Sequence, residues 1–294
     1  MDIRAIAMGL VFALMWSSAF ATARIIVADA PPLLSLALRF GLTGGVAIIA
    51  ARLLGQSWRL PGGMRGPQAR AVIVFGLCQN ALYLGLNFVA MQWIEASLAA
   101  IIASSMPLIV AALGWAFLAQ RTSGRGLAGL MAGMVGVAII MGSRVQGGAD
   151  PLGIALCILG ALALAVATLT VRGASGEGNL LMIVGLQMLV GSVTLGVASS
   201  LLEMPQIALS VPWIAAFIYQ CFVPGLAATL IWFSLVRRIG AVRAATFHFL
   251  NPAFGVAIAA ALLGESITRT DVIGVVIAMI GILIVQLERG RQNA

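Results

Sequence analysis

Side chains able to donate, accept or stack recur at points where the surrounding sequence is almost wholly apolar. Gln79, Asn80, Tyr83 and Asn87 fall in one such run, and i, i+3, i+7 spacing puts Asn80, Tyr83 and Asn87 on one face of a helix. Amides and a phenol on one face could wall a polar cavity, or could hydrogen-bond a neighbouring helix. His248, the only histidine, is followed at i+3 by Asn251. An imidazole titrates near neutral pH and could carry a coupling proton; a neutral ring bonded to a backbone carbonyl is the plainer alternative. Trp16 and Phe20, at i and i+4, together with Trp232, could stack on an apolar or aromatic ligand or simply pack in a core. Ser17, Ser18, Ser104 and Ser105 could donate to a ligand or permit close helix approach.

Three prolines add a mechanical element. Pro107, Pro224 and Pro252 each remove a helical N–H and predict a kink, and Gln220 stands one turn before Pro224. The chemistry open to this set is recognition, not bond-making. No GxSxG or HExxH motif and no paired intramembrane Asp accompanies His248, so an intramembrane enzyme is disfavoured. Cys78, Cys157 and Cys221 are odd in number, lie in apolar runs and lack CxxC spacing, which predicts buried thiols. No catalytic residue, metal ligand or cofactor is expected.

The elements that must hold these residues follow from composition. Of 294 residues 62% are hydrophobic and 9% charged, with mean hydropathy +1.09, far from the roughly 25% charged content of soluble domains. A helix needs about 20 apolar residues to cross a bilayer. Apolar stretches fall at roughly 5–27, 31–54, 71–92, 96–119, 125–142, 151–172, 179–202, 212–235, 239–263 and 269–287, which predicts ten spans. They lack the period-two alternation of barrel strands, so the expected class is all-α integral membrane. On this count His248 lies about 14 Å into the ninth span. The first run, from Ala5, is too long for a signal-peptide core and reads as a membrane helix.

The net charge of +8 would suggest nucleic-acid binding in a soluble chain, but here the basic residues stand at the ends of apolar runs and read as topology signals, with no nucleic-acid partner. One side collects Arg4, Arg52, Arg59, Arg65, Arg70, Arg121, Arg125, Arg172, Arg237, Arg238, Arg243, Arg289 and Arg291. Arg24, Arg144 and Arg269 fall on the other, with Arg39 a few residues inside the second span. The positive-inside rule then places both termini in the cytoplasm. Every basic residue is Arg, which with abundant Ala and Gly suggests a bacterial source and hence the inner, cytoplasmic membrane.

The halves of the chain resemble one another. A shift of 145 lays Ala96, Pro107, Gly129 and Gly136 on Ala241, Pro252, Gly274 and Gly281, and a shift of 148 lays Thr22 and Arg24 on Thr170 and Arg172. Five helices per half would make residues 1–145 and 146–294 two inverted-topology repeats, because an odd number starts the second half from the opposite side. Gly129 and Gly133, with Gly274, Ala278 and Gly281, are expected to be packing faces.

The run from Leu235 to Thr268, with its central Pro252 and the ending Leu262, Leu263, Gly264, Glu265, resembles the second half-repeat of the drug/metabolite transporter superfamily, and within it the EamA-type exporters. The first span, ALMWSSAFATAR, resembles that family's opening helix; in the first repeat Pro107 is kept, but Gln120 stands where the acidic residue would be. The resemblance implies ten helices in two inverted repeats. It also implies a central cavity lined by the first, third, fourth, sixth, eighth and ninth helices, and export of metabolites by alternating access. Within the family the chain resembles aromatic amino-acid exporters. A mostly neutral lining of rings, amides and hydroxyls, without a deep carboxylate, suits a neutral amino acid better than a phosphorylated sugar, which would want clustered Arg or Lys. Export of drugs, purines or nucleotide sugars is the alternative. Partners are then the substrate and the bilayer, and the chain is a monomer or homo-oligomer; a scaffold or receptor would find little surface on short loops.

Overall fold

The computed structural model describes residues 2–57, 63, 66–118, 123–144, 150–174, 179–263 and 269–288, and every regular element among them is helical. In chain order these are α1 (Ile3–Asp29), α2 (Pro32–Leu53), α3 (Pro67–Ala90), α4 (Ala96–Ala103 and Met106–Leu118), α5 (Gly124–Arg144), α6 (Pro151–Ala174), α7 (Leu180–Leu202), α8 (Val211–Ile239), α9 (Ala241–Ala245, Thr246–Leu250 and Asn251–Leu263) and α10 (Arg269–Glu288). Seven of them, α1, α2, α3, α6, α7, α8 and α9, hold a stretch long and apolar enough to cross a membrane. The apolar parts of α4, α5 and α10 are shorter: Met106–Ala116, Gly124–Ile139 and Val272–Val285.

The distribution of polarity is that of a bundle in lipid. Leu201, Val193 and Leu53 stand exposed on the outer surface, while Asn80, Gln187, Thr43, Gln220, Asn251 and Arg39 are buried within. Lipid offers no hydrogen bonds, so polar groups must face inward and find partners there.

Helix starts recur at fixed offsets. Ile3 and Pro151, like Pro32 and Leu180, are 148 residues apart; Ala96 and Ala241, Met106 and Asn251, and Gly124 and Arg269 are 145 apart. The offset changes between Leu53 and Pro67 in the first half and between Leu202 and Val211 in the second. Two departures from α geometry also match. α3 has π-helical geometry over Gly76–Leu84 and α8 over Cys221–Ala227, beginning 145 residues apart. Pro224 lies inside the second of these and cannot donate an i→i−4 bond; the first holds no proline, and nothing in its sequence accounts for it.

Two extensive helix pairs, α5 with α10 and α2 with α7, are antiparallel crossings through small residues. A Cβ on Gly129 would lie 2.9 Å from the Gly281 carbonyl oxygen, and Gly136 meets Gly274 and Ala278 as closely. Side chains at these glycines would push the two backbones apart. Likewise Gly44 and Gly185 abut, at 3.0 Å from Cβ position to carbonyl oxygen each way, and the Ser192 hydroxyl donates to the Ala37 carbonyl at 2.8 Å. The small-residue stripes expected from the sequence in α5 and α10 therefore face each other.

Reciprocal capping fixes the α2–α7 crossing. α2 opens with Pro32 and has no side-chain cap of its own, and its unpaired N–H groups at Leu33 and Leu34 donate to the two carboxylate oxygens of Glu203 at 2.8 and 2.9 Å. Glu203 follows α7 and is braced by Ser199 at 2.8 Å. In return Gln56, just past α2, accepts from the Met182 N–H in the first turn of α7 at 3.1 Å. A carboxylate at a helix N-terminus stabilises by about 0.3–1 kcal/mol, and more when partly buried. At the start of α1, Asp2 caps the Ala5 N–H at 3.1 Å and pairs with Arg238 at 2.6 Å, and that guanidinium holds its carboxyl below the ordinary range. Gly240, at φ 83°, turns the chain from α8 into α9 in a conformation costly for any residue with a Cβ.

Candidate functional site

α1, α3, α8 and α9 converge on an aromatic cluster. The His248 imidazole, on the 3₁₀ turn Thr246–Leu250, is ringed by Phe12 and Trp16 of α1 and Trp232 of α8, with centroids 5.2, 5.8 and 5.2 Å away and each ring steeply inclined to it. Phe12 stacks on Trp232 at 4.8 Å, and Trp16 lies parallel to Tyr83 of α3 at 6.2 Å and 7°. Such contacts add about 0.5–1.5 kcal/mol each beyond area burial.

One hydrogen-bond chain orients the imidazole. Ser17 Oγ donates to Asn251 Oδ1 at 3.3 Å, so the Asn251 amide nitrogen faces His248 Nδ1 and donates to it at 2.9 Å. His248 is then neutral and carries its proton on Nε2, which is buried without a partner. Its bonded partner is thus a side-chain amide, not the backbone carbonyl weighed from the sequence. Adding a proton to Nδ1 would require the Asn251 amide to reverse.

Beside this cluster lies a cavity lined by Trp16, Ala19, Arg39, Tyr83, Asn87 and Pro224, among others, with room for little more than a water molecule, about 20 Å³. The space is too small for an amino acid in this conformation. Asn87 donates from Nδ2 to the Tyr83 carbonyl at 2.7 Å, and its Oδ1 has no partner; the Tyr83 hydroxyl and Trp232 Nε1 are also buried and unpartnered. Each such group costs about 1–3 kcal/mol until something satisfies it.

Arg39 of α2 is the charged member of the lining. It is 3% exposed and sits against Gln220 of α8, whose Oε1 accepts from Nη1 at 2.6 Å. Gln220 is itself held by donating from Nε2 to the Ala19 carbonyl at 2.9 Å and to Thr22 Oγ1 at 3.0 Å. No carboxylate contacts Arg39 among the described residues, and its Nε is unpartnered. The sequence reading counted Arg39 among the topology charges and missed it here. The available signal was its position several residues inside an apolar run, where an ionisable side chain is a functional candidate by default.

The other expected site residues divide. Trp16, Ser17, Tyr83, Trp232, His248 and Asn251 come together; Asn87 and Gln220 join through the cavity and the Arg39 contact. Asn80 does not: it turns to α7 and donates to the side chain and, at 3.0 Å, the backbone carbonyl of Gln187. The π geometry has about one more residue per loop than an α-helix, so i, i+3, i+7 spacing does not keep Asn80 on the face of Tyr83 and Asn87. Gln79 is buried, but it does not line the cavity. Ser105 donates to its own backbone, to the Ile102 carbonyl at 2.8 Å, and Ser104 to that of Ala100 at 2.8 Å.

Pro224 lines the cavity. Pro107 and Pro252 are second in the helices Met106–Leu118 and Asn251–Leu263, so each break falls just before its proline, in a turn at Ser104 and Ser105 and in the 3₁₀ turn that carries His248. Proline is well tolerated in a first helical turn because its missing N–H would be unpaired there. Of the first, third, fourth, sixth, eighth and ninth helices expected to line a cavity, the first, third and eighth line this one; α2 joins them, and the fourth, sixth and ninth contribute no residue. The Gly264, Glu265 ending and Gln120 lie outside the described residues.

Comparison with known proteins gives this arrangement a lineage. The chain is similar to "Uncharacterized transporter YvbV" of Bacillus subtilis, at 24% identity over 96% of this chain and 91% of that protein. It is 26% identical to "Uncharacterized inner membrane transporter YedA" of Escherichia coli, over 95% and 90% of the two chains. It is also 24% identical to the "Probable amino-acid metabolite efflux pump" of Escherichia coli, over 94% and 93%. A crystal structure 20% identical superposes with a TM-score of 0.78 over 100% of both chains, a likeness of fold. The sequence profile of the EamA-like transporter family matches residues 3–142 and again 151–287, and this chain, with its membrane-spanning helices, belongs to that family of transporters.

Proposed function

We propose that the protein exports neutral amino acids, aromatic ones foremost, and related metabolites across the bacterial inner membrane, by alternating access through the cavity between α1, α2, α3 and α8. The observation that carries this reading is the parallel Trp16–Tyr83 pair at the edge of a buried cavity that also holds unpartnered polar groups. A planar apolar ring can slide against such a pair, while the amide, phenol and guanidinium beside it can take a zwitterionic head. The relatives named as amino-acid metabolite efflux pumps favour the same class.

The architecture that would move the cavity is ten membrane helices in two inverted repeats, 1–145 and 146–294, with both termini cytoplasmic. Its support is the matched offsets together with the reciprocal crossings. Gly129 meets Gly281 and Gly136 meets Gly274, contacts that exchange under the 145-residue shift; Gly44 meets Gly185 and Ala37 meets Ser192, which exchange under the 148-residue shift. A two-fold axis lying in the membrane plane produces such pairs. The breaks before Pro107 and Pro252 supply the hinges of α4 and α9, and the cavity must widen during the cycle to take an amino acid.

The test is counterflow of labelled phenylalanine, tryptophan or threonine into liposomes holding purified protein, with and without an imposed pH gradient. Uptake that unlabelled neutral amino acids block supports the reading. Folded protein that moves none of them, but moves purines or drugs, overturns the amino-acid assignment. Dependence on the gradient, lost in His248→Gln, would assign His248 a coupling proton; an unchanged pH profile in that variant ends the idea.

A further inference from the structure

Arg39 is a guanidinium buried in the bundle with no carboxylate against it among the described residues, and its hydrogen bonding is lopsided. Gln220 occupies Nη1 alone. Nε is buried and unpartnered, and Nε and Nη2 form the side edge of the planar group, the fork that matches a carboxylate with two parallel N–H···O bonds. That edge faces Gly225 in the π segment of α8. A Cβ at Gly225 would stand 3.5 Å from Nη2 and 3.6 Å from Nε, so glycine there keeps a side chain off the fork, which lies buried against the α8 backbone. Gln220 in turn is anchored to α1 by two bonds, which holds the guanidinium in one orientation.

Besides Arg39, the same cavity is lined by Asn87, whose Oδ1 has no donor, and by the Trp16–Tyr83 pair. We propose that Arg39 is the carboxylate receptor of this transporter. The Nε–Nη2 edge takes the α-carboxylate, Asn87 Oδ1 takes the α-ammonium, and the side chain of the amino acid lies against Trp16 and Tyr83. This rests on reading the cavity as the substrate site and narrows it: a substrate must bring a carboxylate, because no carboxylate among the described residues pairs with this buried cation. It also replaces the neutral lining expected from sequence with a lining that carries one positive charge.

The experiment is competition in the counterflow assay, with labelled phenylalanine and three unlabelled competitors: phenylalanine, phenylalaninamide, which lacks the carboxylate, and 3-phenylpropionate, which lacks the ammonium. In the native protein phenylalaninamide should compete at least about tenfold more weakly than phenylalanine, the scale of one charge-assisted pair. 3-Phenylpropionate should fall between them. In Arg39→Gln, the advantage of phenylalanine over the amide should collapse to within about threefold, and Arg39→Lys, which keeps charge but loses the fork, should lie between. Equal competition by acid and amide in the native protein overturns the proposal while leaving amino-acid transport intact, and so does an unchanged ratio in Arg39→Gln. If Arg39→Gln does not fold, the native comparison and Arg39→Lys decide. Absence of any amino-acid transport overturns both readings.

Discussion

Arg39 and Gln187 stand 148 residues apart at matching places on α2 and α7, and each faces the π segment of the helix packed beside it. Arg39 meets Gln220 and the bare backbone of Gly225 on α8; Gln187 meets Asn80 on α3 and crowds Gly76. The backbones are alike and the chemistry is not. On the α8 side a charge borders a cavity, while on the α3 side two amides close on each other and the corresponding space is filled. The aromatic cluster shows the same asymmetry, since Trp16 and Phe12 correspond under the 148-residue offset to Leu164 and Gly160 of α6. In the proposed mechanism, the repeated helical plan would supply two frames for rocking, and substitution within one frame the site.

The largest expected effect breaks this comparison at its charge. Arg39→Leu removes a charge-assisted bond and strands Gln220, and should lower phenylalanine counterflow by about 100-fold, whereas Gln187→Leu should stay within about threefold. Moving the charge across, in the double variant Arg39→Gln with Gln187→Arg, should leave activity near that of Arg39→Gln alone; recovery would mean the two frames are interchangeable. Next comes the aromatic asymmetry. Trp16→Ala should weaken apparent phenylalanine affinity by about tenfold, while Leu164→Ala, at the matching buried position, should lower the unfolding temperature and leave affinity in place. The smallest effect tests the shared frame. Glu203→Ala should cost about 1–2 kcal/mol, because it leaves two N–H groups of α2 uncapped, and Gln56→Ala should cost about half as much, because only the Met182 N–H loses its acceptor. Thermal unfolding in one detergent reads both.

Much of this was legible in the residues. Apolar run lengths mark the helices, and the glycine stripes of α5 and α10 announce a close crossing because only small residues permit it. His248 and Asn251 meet as their i, i+3 spacing predicts, and the rings of Trp16 and Trp232 both border His248. What stayed hidden depends on helix geometry and on burial by distant segments. Helix propensity does not mark π geometry, so Asn80 was grouped with Tyr83 and Asn87 when it serves the α3–α7 contact. Ser105 offers a hydroxyl to a ligand on paper, but it is spent on the Ile102 carbonyl where α4 breaks. Arg39 passed as a topology signal because its depth in the fold is set by Gln220 and Gly225, roughly 180 residues away in the chain.

The central claim is that substrate passes through the cavity bordered by Trp16, Tyr83 and Arg39. Ala19 is the smallest residue of its lining. Ala19→Cys, in protein with Cys78, Cys157 and Cys221 replaced, should react with a membrane-permeant thiol reagent as the cavity opens, lose phenylalanine counterflow on reaction, and react more slowly when phenylalanine is present. Full transport by the modified protein, or reaction at an unchanged rate with saturating phenylalanine, would contradict the account.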